Sequence, residues 1–118
     1  MTWRLTGILS FILATSLPAQ ADATREIDHL LGFIEESGCT FVRNGDAHDS
    51  VEAREHIEKK YDYARRWVET AEQFVEYTAT RSSISGERYV VNCGGHEQPS
   101  AEWLLSELDN YRSTSGAE

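Results

Sequence analysis

Cys39-Thr40-Phe41-Val42-Arg43-Asn44-Gly45-Asp46-Ala47-His48-Asp49 carries an extended run into a helix through one tight corner. Its first residues, rich in β-branched and aromatic side chains and placed directly after Gly38, read as a short strand. Asn44-Gly45 supplies the turn, because Asn tolerates positive φ and Gly adopts it without steric cost. Asp49 or Ser50 then caps a helix, and Glu52, three residues after Asp49, is placed to close a capping box onto the freed amides. These roles account for Asn44, Gly45, Asp49 and Ser50. They leave Arg43, Asp46 and His48 without a structural reason to be there.

The segments around the corner follow from periodicity. Upstream, Ile27, Leu30, Leu31 and Ile34 recur on one helical face, which predicts a helix from Thr24 to Ser37 stopped by Gly38, with His29 on the solvated side. Downstream, Val51 to Ser85 contains neither Gly nor Pro, and a single helix of that length would be about 50 Å long, too long for a domain of this size. Thr70-Ala71-Glu72-Gln73 supplies the break as a second capping box, giving antiparallel helices Ser50–Val68 and Ala71–Ser82. The first of them carries His56, Lys60, Tyr63 and Trp67 on a second stripe beside its apolar face. A broad face of this kind suits a central helix with neighbours on two sides, or a groove lined by aromatic rings.

Arg88 to Cys93 reads as a second strand, Gly94 to Pro99 as a loop, and Ser100 as the cap of a last helix whose Leu104, Leu105, Leu108 and Tyr111 share a face. Pairing the two strands antiparallel with Cys39 opposite Cys93 also sets Phe41 opposite Val91 and Arg43 opposite Tyr89. The chain has only these two cysteines, which allows one intramolecular disulfide in an oxidising compartment. The expected architecture is therefore α+β and mainly helical: four helices with a two-stranded antiparallel β-ribbon closed by a disulfide. It forms one small domain over residues 22–112, followed by a frayed tail at 113–118.

Compartment and charge narrow the function. Residues 1–21 have the pattern of a signal peptide: Arg4 as the basic end, Leu5–Leu17 as the apolar segment and Ala19-Gln20-Ala21 before the cut. The mature chain is expected to be periplasmic or secreted, with no membrane insertion after signal cleavage. Cleavage removes one basic residue and no acidic one, so the net charge of −9 becomes more negative still. That balance argues against nucleic acid and leaves a basic protein or an envelope component as the expected partner.

The motifs Phe41-Val42-Arg43-Asn44-Gly45-Asp46-x-His48, Thr70-Ala71-Glu72-Gln73-Phe74 and Ser82-Ser83-Ile84-Ser85-Gly86-x-x-Tyr89-x-Val91 resemble the three signature blocks of the bacterial YfeK-like proteins, small exported proteins of unknown function. The resemblance implies no reaction. The residues themselves nominate Arg43, Asn44, Asp46, His48 and Tyr89 as a binding surface, where a cation, a carboxylate and an imidazole meet. A calcium loop centred on Gly45 fails, because Thr40, Val42 and Val51 would occupy ligand positions, and no His-Glu-x-x-His occurs. Neither a metal nor another cofactor is implied. The expected function is a non-catalytic binding module of the cell envelope; the enzymatic alternative is a small hydrolase or lyase using His48 with Asp46 or Asp49.

Overall fold

The computed structural model describes residues 17–116. They form α1 (Leu17–Glu36), β1 (Thr40–Arg43), β2 (Asp46–His48), α2 (Ser50–Ala64) with a 3-10 turn at Arg65–Trp67, α3 (Ala71–Thr78), β3 (Val90–Cys93), β4 (His96–Pro99) and α4 (Ser100–Gly116). Most of the expected signal peptide lies outside the described residues. α1 begins at Leu17, upstream of the expected Thr24, and α4 continues to Gly116, through much of the segment read as a frayed tail.

The α+β class and the four helices are as expected, but the two-stranded ribbon is replaced by a four-stranded antiparallel sheet of order β2-β1-β3-β4. The central register is the expected one, with Phe41 opposite Val91. Cys39 and Cys93 continue it into a disulfide, their Cα atoms 4.6 Å apart. The two added strands are edge strands made by hairpin turns. Asn44 and Gly45 have φ of 54° and 81°, and Gly94 and Gly95 have 61° and 91°. Paired positive φ values are those of the two-residue turn whose twist matches that of its flanking strands. Asp46-Ala47-His48 and His96-Glu97-Gln98-Pro99 have little strand propensity of their own, so turn geometry overrides composition. Pro99 closes the ladder at the sheet edge, where a missing amide donor is tolerated.

The caps expected at Asp49 and Thr70 are formed, whereas Ser100, expected to cap the last helix, is the first residue of α4 and its hydroxyl donates to Ala79 O instead. Glu52 N donates to Asp49 Oδ1 at 2.8 Å and Asp49 N to Glu52 Oε1 at 3.2 Å. Gln73 N donates to Thr70 Oγ1 at 3.1 Å, while the Gln73 side chain accepts from Glu69 N at 2.7 Å. α3 stops at Thr78, short of Ser82, as Thr78 Oγ1 and Thr80 Oγ1 donate to the carbonyls of Phe74 and Val75 in its last turns.

One face of the sheet packs on the helices. Phe41 and Val91 from the strands join Ile27, Leu30, Ile34, Ile57, Phe74, Leu104 and Leu108 in a single core. Trp103 inserts between α1 and β1, its ring 4.6 Å from that of Phe33 and 5.5 Å from that of Phe41. His29 is half-buried rather than solvated, with Nε2 2.7 Å from Glu107 Oε2 and its ring stacked on Tyr111. Arg112 of α4 holds Glu26 of α1 and Glu72 of α3 together, at 2.8 and 2.7 Å.

The sheet has an approximate twofold axis at its centre. Each half is a two-residue hairpin leading directly into a helix that begins with a buried serine. Ser50 Oγ donates to Glu35 O near the end of α1, and Ser100 Oγ to Ala79 O at the end of α3. Phe41 and Val91 hold equivalent places in the two hairpins and face each other, as an axis between them requires. Equivalent places continue outward, so Arg43 matches Cys93, Tyr89 matches Cys39, and Ala53 of α2 matches Trp103 of α4. The disulfide therefore closes one end of the β1–β3 ladder, and the Arg43–Tyr89 pair stands at the other.

Candidate functional site

At that other end the chain leaves a cleft. Trp103 fills the space beside the disulfide, but the matching position on α2 is Ala53, and the missing indole opens a cavity of about 30 Å³ whose wall includes Arg43, His48, Glu52, Ala53, His56 and Tyr89. This is room for about one or two water molecules at its floor. Alternation along β1 and β2 turns Arg43 and His48 to the helix side of the sheet, together with Phe41.

The polar groups form two linked sets. Arg43 Nη2 and His48 Nε2 lie 3.3 Å apart, and His48 Nδ1 is 3.5 Å from Glu52 Oε1. Beside them, Lys60 Nζ donates to Tyr89 Oη at 3.1 Å and to Arg81 O at 3.0 Å, while Tyr89 Oη and His56 Nε2 lie 3.1 Å apart. Burial, reinforced by the charges of Arg43, Lys60 and His48, lowers the His56 pKa to about 4. His56 is then neutral at pH 7, so Tyr89 donates to its Nε2 while accepting from Lys60. Burial and Arg43 lower the Lys60 pKa as well, and burial raises that of Tyr89.

Charge at the cleft runs against the whole molecule. Among the described residues the half-buried Arg54 and Arg112 are ion-paired, whereas the half-buried Arg43 and Lys60 have no carboxylate within ion-pairing distance, a state they share only with the exposed Lys59, Arg66, Arg81 and Arg88. A chain of net charge −9 has carboxylates to spare, yet these two half-buried cations are left without one.

Of the residues read from the sequence, Arg43, His48 and Tyr89 line the cleft. Asn44 and Asp46 do not. Asn44 Nδ2 donates to Ser82 Oγ at 3.2 Å, and Ser85 Oγ donates to Asn44 Oδ1. Ser82 Oγ also accepts from the amides of Ile84 and Ser85. Asn44 thus locks the hairpin to the 82–86 turn, which gives the first and third sequence motifs a shared structural task. Asp46 is exposed. His48 forms no hydrogen bond or ion pair with Asp46 or Asp49, whose side chain caps α2. His56 and Lys60 were visible in the sequence only as part of the second stripe on α2. Among the described residues no group of His, Cys, Asp and Glu could hold a metal ion.

His56 makes stability depend on pH. Its ordinary pKa is 6.5 and its folded value is about 4, so between these values the unfolded chain binds more protons than the folded one. Stability from this group is complete above pH 6.5 and is lost as pH falls toward 4. The midpoint of thermal unfolding is expected to drop through that window, and His56→Gln to make the drop shallower. An unchanged slope in the variant would assign the acid sensitivity to other groups.

The family of unknown function DUF5329 matches residues 21–112 of the chain. An uncharacterized protein of Salmonella typhimurium, YfeK, is 39% identical over 82 residues, covering 65% of this chain and 68% of that protein. No solved structure matches.

Proposed function

The chain belongs to the DUF5329 family of unknown function, and from that premise we propose that it is an exported, non-catalytic binding module of the cell envelope whose cleft holds an acidic group of its partner. The observation that carries this reading is a pair of half-buried cations without carboxylate partners on a strongly acidic chain: Arg43, which lines the cleft, and Lys60, which borders it through its hydrogen bond to Tyr89. Arg43 presents the planar fork that suits a carboxylate or phosphate, and neutral His56 adds a directional N–H. A positive cleft favours an acidic envelope component over a basic protein. Placement in the periplasm or beyond is consistent with the Cys39–Cys93 disulfide. Among the described residues no helix is long and apolar enough to cross a membrane.

Titration of the protein with inorganic phosphate, following the ring resonances of its four histidines, tests the reading. Saturable shifts are expected at His48 and His56 and none at His29 or His96. Arg43→Gln should weaken the response about tenfold, the loss of one charge-assisted contact, without moving the thermal midpoint. Weak linear shifts spread over all four rings would overturn the proposal.

A further inference from the structure

The stripe on α2 does not end at the cleft. His56 and Lys60 belong to it; one turn further along α2 comes Tyr63, and Trp67 follows in the 3-10 turn, the two rings being 84% and 60% exposed. Exposure on this scale is uncommon for large rings, and here two of them are neighbours. Together with Lys60, Tyr77 of α3 and Ser83, they wall a groove of about 320 Å³. Lys60 is the hinge between the two features, because it lines this groove while its ammonium is bonded to Tyr89 in the cleft. Arg66 lies over the Trp67 ring, 5.3 Å from its centre.

We infer that groove and cleft together bind an acidic polysaccharide, with a sugar ring lying against Tyr63 and Trp67 and a carboxylate reaching the Arg43–Lys60 end; this rests on the anion-binding reading above. The groove is not purely apolar. The Tyr63 and Tyr77 hydroxyls, Ser83 and Lys60 would lose water without compensation beneath an apolar helix. A pyranose ring offers both an apolar C–H face for the aromatic rings and hydroxyls for these polar edges. The carboxylate meets the charge requirement of the cleft. A net charge of −9 also selects for sparse charge along the ligand, because a polymer with a charge on every unit would be repelled by the rest of the surface. A flat bilayer would not reach the half-buried cations of the cleft.

Calorimetric titration separates the possibilities. The probes are a hexasaccharide of alternating N-acetylglucosamine and glucuronic acid, the neutral N-acetylglucosamine hexasaccharide, inorganic phosphate, a hexathymidylate and phosphatidylglycerol vesicles. The acidic hexasaccharide should bind at least tenfold more tightly than the neutral one and than phosphate. Trp67→Ala should weaken it at least tenfold and leave phosphate binding unchanged, whereas Arg43→Gln should weaken both. Phosphate binding with no gain for the acidic hexasaccharide, or no loss on Trp67→Ala, would sink the inference and leave the cleft reading standing. Tighter binding of hexathymidylate or vesicles would reassign the groove and overturn it equally. If neither phosphate nor the hexasaccharide binds, both readings fall.

Discussion

Serine at both Cys39 and Cys93 is expected to remove about 4 kcal/mol of stability, the chain-entropy value for a bridge across 54 residues. For a chain this small that is a large share of a total of about 5–15 kcal/mol, and the thermal midpoint should fall by roughly 20 °C. Dithiothreitol should reproduce the loss in the wild-type protein and do nothing to the double variant. The effect is large because the bridge closes the outer end of the central β1–β3 ladder, which among the described residues is the only strand pairing that joins the two hairpins. A shift of less than about 5 °C would mean that the ladder and the helix packing already hold the halves together without it.

Trp103→Ala is the second large effect, expected to cost about 3 kcal/mol. The low end of the range for an indole applies because Trp103 is half-buried rather than enclosed. Its contacts with Phe33 and Phe41 disappear together, and the space beside the disulfide becomes a counterpart of the cleft beside Ala53. Urea unfolding measures the loss; a cost below about 1 kcal/mol would show that the indole caps the surface without packing into it. The phosphate response of His48 and His56 should survive, because Trp103 does not line their cleft.

Much of the frame was legible in the sequence, and the reasons are local. Ile27 to Ile34 announce α1 by period, Asp49/Glu52 and Thr70/Gln73 announce their helices by capping chemistry, and two cysteines set the register that pairs Phe41 with Val91. β2 and β4 were missed because Asp46-Ala47-His48 and His96-Glu97-Gln98-Pro99 look like loop. Asn44-Gly45 and Gly94-Gly95 are hairpin signals, but without a strand-like run after them they are equally the signals of a bend or loop. The approximate twofold escaped notice because the halves share few residue identities. Its clearest trace, Ser50 and Ser100 each following a hairpin, becomes meaningful only when both hydroxyls are seen bonded to the end of the preceding helix.

The site was half legible for a related reason. Arg43, His48 and Tyr89 could be grouped from strand register alone. His56 and Lys60 lie far from them in sequence and meet them only because α2 folds back across the sheet. Asn44 and Asp46 seemed equally good candidates, since sequence proximity cannot distinguish a side chain that faces the cleft from one that braces a turn. Ser82 decides it for Asn44, from 38 positions downstream.

The central axis also bears on how one chain comes to own a single opening. A half-length ancestor pairing with its own copy about that axis would present two identical depressions, and any side chain that plugged one would plug both. Joining the copies end to end lifts that constraint. One depression can be stoppered with an indole and its strand end riveted by sulfur, while the other keeps alanine and receives the charges. In this molecule, the rivet and the opening stand at opposite ends of the same ladder.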